Sequence, residues 1–272
     1  MFPIDGTIIT HYVATHHTRL SKTPIDSDLK TQTVNFSKLD ELRNMFVKAG
    51  IVTQAKGSAY IELGNTKAIC SVFDPREIPN KTDYSDQGKL YCEFKYAAFS
   101  CTKRKVHQQD AEEKENSLIL QRALEPAVCL QEFPNFQVDC YTIILDNGGS
   151  ALAAAIMAAS LALANAGIQM FGIVTASTMA IHNDVLMVNP TDEEEMLCLN
   201  VDKESENKEH GLVTLASLSQ HNQITEIVLK GNMEVSTIVN VSKRLTEANV
   251  EISPVLQQCL VKSVVKAFKH LN

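Results

Sequence analysis

The sequence predicts an α+β fold. Three features carry that reading: paired segments that alternate polar and apolar residues, an alanine-rich segment apolar on every side, and further strand-like segments followed by a long helical period. Strands, a buried helix, more strands and a terminal helix, in that order, imply crossover connections around one core. At 272 residues the chain makes one large domain or two small ones.

Residues 1–37 are rich in Thr and His and show no sustained period, so they read as an N-terminal extension preceding a domain at 38–272. His11, His16 and His17 have no cysteine or acidic company, and a solvated tail explains them better than a metal site. Strand character begins after Ile51. Ser58 to Leu63 alternates, Gly64-Asn65 signals a hairpin because both residues tolerate positive φ, and Thr66 to Phe73 returns as the second strand. Residues 75 to 88 read as loop, and Lys89 to Tyr96 as a third strand. After a polar, locally basic stretch at 102–110, the period of Leu118, Ile119, Arg122, Ala123 and Val128 predicts a helix over 111–130, with Pro126 kinking its last turns. Phe136 to Leu145 is mostly apolar and reads as a central strand. Ser150 is placed to cap a helix that ends at Gly167, and the alanines of that helix let it pack close to a sheet. Gln169 to Ala180 and Val185 to Val188 follow as strands. Asp192 to His210 is acidic and reads as an exposed loop or short helix. Leu212 to Leu218 and Gln223 to Lys230 form another strand pair, and Met233 to Phe268 is helical with a break or kink at Ser253-Pro254.

Composition narrows the function. Twenty-five basic against thirty-two acidic residues gives a net charge of −7, whereas a free-standing nucleic-acid binder usually carries a basic surplus. Contact with nucleic acid therefore requires a local patch or the help of partners. The apolar piece Ala151 to Ala164 falls short of the ~20 residues a spanning helix needs, so it reads as core and no membrane is expected. Seven cysteines, with no Cys-x-x-Cys and no secretory signal, point to reduced, buried thiols in a cytosolic or nuclear protein.

Several segments together resemble the RNase PH family, as seen in the ring subunits of the RNA exosome. Lys56-Gly-Ser-Ala-Tyr-Ile-Glu-Leu-Gly-Asn-Thr-Lys67 looks like the family's first hairpin, and Leu39-Asp-Glu-Leu-Arg43 followed by Ala49-Gly50 like its lead-in. Leu124-Glu-Pro-Ala-Val128, Asp146-Asn-Gly-Gly-Ser-Ala-Leu152, Ala158-Ala-Ser-Leu-Ala-Leu-Ala164 and Ala166-Gly-Ile-Gln-Met170 continue the match in the family's order. Gln54 to Tyr60, Gly148 to Ala154 and Pro254 to Gln258 are similar to a ring member regarded as catalytically inert. The resemblance implies the RNase PH fold: a ribosomal protein S5 domain 2-like half, two βαβ-type halves in all, and a C-terminal helix. It also implies partners, namely paralogous RNase PH-like ring subunits, S1/KH-type cap subunits and RNA threading a pore, and a location in the nucleus, including the nucleolus, and the cytoplasm.

Active members of the family cleave RNA from its 3′ end with inorganic phosphate, which demands cations and N–H donors for an anion attacking a polyanion. They carry Gly-Ser-Arg or Gly-Thr-Arg at a helix N-terminus. Here the triplet is Gly149-Ser150-Ala151, a degenerate phosphate site without the guanidinium whose fork holds phosphate. They place an arginine just ahead of a glutamate before the preceding helix, where this chain has Ala111-Glu112-Glu113. They carry two aspartates six residues apart after a strand matching Val185 to Val188. Here the matching region is Thr191-Asp-Glu-Glu-Glu195, the second aspartate falls near Gly211, and the acidic run reads as a solvated face. Three defects predict no phosphorolytic activity, no metal and no cofactor. Lys103, Arg104 and Lys105, with His107 nearby, sit where ring subunits present a loop to RNA, and such cations neutralise phosphates without reading bases. Tyr96 and Phe99 are the nearby aromatics, as stacking partners or as core. The competing readings are an active phosphorolytic 3′-to-5′ exoribonuclease, which Ala151 and Glu112 argue against, and a stand-alone binding module, which co-purification with related chains would exclude.

Overall fold

The computed structural model describes residues 42–78, 84–182, 185–199 and 209–271. The extension 1–37, with its three histidines, lies outside the described residues. The first sheet holds β1 (Met45–Ala49), β2 (Gly57–Leu63), β3 (Thr66–Val72), the two-residue β4 (Arg76–Glu77), β5 (Lys89–Tyr96) and β6 (Phe136–Asp146). The expected hairpin is present, with Leu63 opposite Thr66 and Gly64 at φ +59. β1 was not legible as a strand. It pairs antiparallel with β2, from Met45 opposite Leu63 to Ala49 opposite Ala59.

β6 is central, antiparallel to β3 and parallel to β5. The parallel pair is joined through α1 (Ala111–Leu124), a βαβ crossover. α1 stops short of the expected 130, because Glu125–Ala127 tightens into a 3-10 turn around Pro126, which cannot donate to an α-helical ladder.

α2 (Ala151–Asn165) is the centre of the molecule. Twelve of its fifteen residues are buried, since it packs against β2 and β3 on one side and β7 (Val174–His182) on the other. Alanine makes this possible by keeping the cross-section small. The close approach is sharpest at Gly57, where an added Cβ would lie 2.3 Å from the amide nitrogen of Ala166 and 2.4 Å from the carbonyl oxygen of Ala162. Side chains lock both interfaces: Asn165 Oδ1 accepts the Ser58 N–H at 3.1 Å, and Ser160 Oγ accepts the Val174 N–H at 2.8 Å.

The second sheet is antiparallel, in the order β10 (Gln223–Asn232), β9 (His210–Leu218), β7, β8 (Val185–Val188). α3 (Asp192–Leu199) follows β8. α4 (Val235–Leu271) covers β7 and β9 with a buried stripe of Val241, Leu245, Asn249, Ile252 and Leu256, spaced three and four residues apart. Of the break or kink expected at Ser253-Pro254, no break occurs, since α4 is continuous from Val235 to Leu271. Pro254 is on the exposed side of α4, as is Val250, whose carbonyl loses its helical donor there. Among the described residues no helix is long and apolar enough to cross a membrane. All seven cysteines are free. Cys70, Cys92, Cys140 and Cys198 are buried, while Cys101, Cys129 and Cys259 are only partly so.

Candidate functional site

The turn Asn147-Gly148-Gly149-Ser150 feeds β6 into α2 and is built by long-range contacts. Gly149 has φ +92, and a Cβ there would sit 2.3 Å from the Pro190 carbonyl oxygen, so only glycine fits. Thr66 Oγ1 accepts the Gly148 N–H at 3.2 Å, and Arg43 Nη1 donates to the Gly148 carbonyl at 3.0 Å. Ser150 is the residue before the helix, as expected, but it does not cap it. Its backbone is left-handed (φ 56), which turns the hydroxyl away from the first turn of α2 toward the Pro190 carbonyl at 3.3 Å.

The N–H of Ser150 is not open to an outside anion, because it donates to Glu195 Oε1 at 2.6 Å. Asp192, three residues earlier on α3, accepts from Asn147 Nδ2 at 2.9 Å. The acidic run is therefore not a solvated face throughout: Asp192 and Glu195 point into the α2 turn, while Glu193 is exposed. A carboxylate at a helix N-terminus is favourable. Burial nevertheless dominates, and raises the Glu195 carboxyl from 4.5 to about 7. Asp192 adds to the rise, and the Ser150 N–H, Arg43 and Lys230 oppose it. Burial also lowers the Arg43 guanidinium, against the pull of Glu194 and Glu195. Arg43 went unrecognised in the sequence as a member of this cluster.

The aspartate pair is likewise placed differently. Gly211 lies in β9, where a Cβ would sit 2.2 Å from the Lys230 carbonyl oxygen, and it offers no ligand. Counted back six residues from Glu195, the spacing used by active members leads to Asn189, an amide. Asn189 is buried with φ 50, and its Oδ1 accepts the Thr178 N–H at 3.5 Å. One oxygen of each carboxylate accepts from a protein donor, Asp192 Oδ1 from Asn147 Nδ2 and Glu195 Oε1 from the Ser150 N–H. Among the described residues no group of three His, Cys, Asp or Glu is arranged to hold a metal ion.

The remaining residues fall into two sets. Glu113 is buried, accepts the N–H groups of Tyr96 and Asp110 at 2.9 Å each, and so fixes the start of α1. Glu112 is 3.5 Å from Lys105. Lys105 also pairs with Asp110 at 3.4 Å and lies 5.2 Å from the centroid of the Tyr96 ring. Of the three expected cations, Lys103 and Arg104 are exposed and Lys105 is folded back onto the protein. Tyr96 is core. Burial, and next to it Glu112, raise its hydroxyl well above the usual range. Phe99 is exposed.

Residues 41–169 match the RNase PH family, described as 3′ exoribonuclease family, domain 1. The chain is 33% identical to the exosome complex component RRP41-like of Arabidopsis thaliana, over 89% of this chain and 90% of that protein. It is 35% identical to the exosome complex component MTR3 of Mus musculus, over 82% of this chain and 84% of that protein. Rice (Oryza sativa) Rrp46 has the same fold, with a TM-score of 0.68 at 20% identity over 80% of this chain and 95% of that one. So does a chain of the Archaeoglobus fulgidus exosome with RNA bound to the active site, with a TM-score of 0.67 at 18% identity over 79% of this chain and 88% of that one.

Proposed function

Because the chain belongs to the RNase PH family, we propose that it is a ring subunit of the eukaryotic RNA exosome with no phosphorolytic activity of its own. It scaffolds the ring beside paralogous RNase PH-like subunits and S1/KH-type cap subunits. It also helps guide RNA into 3′-to-5′ processing and degradation, in the nucleus, including the nucleolus, and in the cytoplasm. The observation that carries the reading is the α2 turn. Where a phosphate would need a guanidinium and free N–H donors, this chain has the apolar side chain of Ala151 and a Ser150 N–H already bound to Glu195.

The sheet edges support assembly. β10 is an edge strand with Ile224, Ile227 and Leu229 exposed, an arrangement prone to aggregation unless a partner covers it. The native mass of the complex recovered with this chain from cells tests ring membership. A mass matching the chain alone, or this chain bound only to proteins unrelated to the RNase PH family, would remove the ring assignment.

The RNA path rests on Lys103 and Arg104. In the assembled complex, Lys103→Ala/Arg104→Ala is expected to weaken single-stranded RNA binding uniformly across sequences. It should flatten the salt dependence by ~0.7 in slope for each phosphate that is no longer neutralised. The fold should be unchanged, because both side chains are exposed. An unchanged salt slope would take this loop out of the RNA path.

A further inference from the structure

The loop after β5 displays an aromatic ring as well as cations. Its base is pinned: the Ser100 N–H donates to the Ala97 carbonyl at 3.0 Å, the Lys105 N–H donates to the Ala98 carbonyl at 3.1 Å, and the Ser100 carbonyl accepts the Asn147 N–H at 2.9 Å. Lys105 holds the far side of the loop through Asp110 and Glu112. Between these anchors Ser100 is 5% exposed while its neighbour Phe99 is 73% exposed, so the fold turns the serine in and the phenyl ring out. None of the ring pairs formed among the described residues includes Phe99. Thr102, Lys103 and Arg104 of the same short loop are exposed as well.

A ring that is 73% exposed contributes little burial to the fold of this chain. Together with two exposed cations it has the composition of a single-strand binding element, in which cations follow the phosphates and an aromatic face takes a base. We propose that Phe99 is a base-stacking residue for single-stranded RNA, presented on a pinned loop with Lys103 and Arg104 serving the adjacent phosphates. The proposal rests on the reading of this loop as part of the RNA path and adds to it an interaction with the bases. Every base has a π-face, so the stacking is tolerant of sequence.

Stacking and charge neutralisation leave different signatures. In the assembled complex containing the full chain, Phe99→Ala is expected to weaken oligoadenylate binding about fivefold or more, with the salt slope unchanged. Phe99→Trp should restore the affinity. Phe99→Leu, which keeps apolar bulk but has no π-face, should not. On an abasic oligomer of the same length the Phe99→Ala effect should vanish, which a merely structural role of the ring would not produce. Equal losses on abasic and base-containing RNA, or full rescue by leucine, would overturn the proposal. So would unchanged oligoadenylate affinity in Phe99→Ala, while a changed slope in Lys103→Ala/Arg104→Ala would still leave the loop in the RNA path.

Discussion

Gly57→Ala is expected to destabilise the chain by ~3 kcal/mol, the upper end of overpacking costs. For a domain of this size that lowers the melting temperature by roughly 6–12 °C. The added methyl would lie 2.3–2.6 Å from three backbone atoms of the Ala162–Ala166 turn, and backbone cannot swing aside as a flexible side chain does. Strand β2 or helix α2 must shift, and with it the interface that holds the two sheets together. Gly167→Ala is the matched control. Its site has φ +77 but no atom within 4 Å, so only left-handed backbone strain of ~1 kcal/mol is expected. Thermal denaturation of both variants separates the two costs. Equal shifts would mean that α2 does not sit against β2 as described.

The second large effect is a pH dependence centred on Glu195. Its carboxyl rises from 4.5 in the unfolded chain to about 7 in the folded one. The folded state therefore binds this proton more tightly. The stabilisation that comes with it is complete below pH 4.5 and is lost as pH rises through about 7. The full loss is on the order of 3 kcal/mol for a carboxyl carried from 4.5 to about 7. Glu195→Gln keeps an oxygen for the Ser150 N–H and cannot titrate. The stability of wild type relative to Glu195→Gln should thus fall between pH ~5 and pH ~8, measured by denaturant titration at both. Titrating groups remote from Glu195 cancel in that difference. A difference that does not vary with pH would show that Glu195 is not withdrawn into the α2 turn.

Much of the fold was legible because its elements carry strong local signals. The hairpin around Gly64-Asn65, the alanine helix and the terminal helix each announce themselves by period or by turn chemistry. β1 did not: five residues between Asn44 and Gly50 are too few to establish an alternation, and the strand exists because β2 offers it an edge. The candidate site was legible as absent residues and illegible as present contacts. Ala151 and Glu112 are read directly. The inward turn of Asp192 and Glu195 is not, because four consecutive acids have no periodic contrast, and what selects two of them is the distant Asn147–Ser150 turn. Lys105 looked equivalent to its neighbours because its partners, Asp110 and Glu112, are five and seven residues away and meet it only through the loop's closure. Ser150 obeyed the residue preference for a helix start but not the geometry, since it and Gly149 both enter α2 at positive φ.

The proposed absence of phosphorolysis by this RNase PH chain is open to a direct assay. Purified wild-type chain incubated with 3′-hydroxyl RNA, inorganic phosphate and Mg²⁺ tests it most directly, with nucleoside diphosphates as the readout. The α2 turn predicts none above a protein-free control, and none from Ala151→Arg either, because Glu195 and Asn189 remain as they are. Phosphate-dependent release of nucleoside diphosphates that co-elutes with the wild-type chain would show it to be a phosphorolytic enzyme.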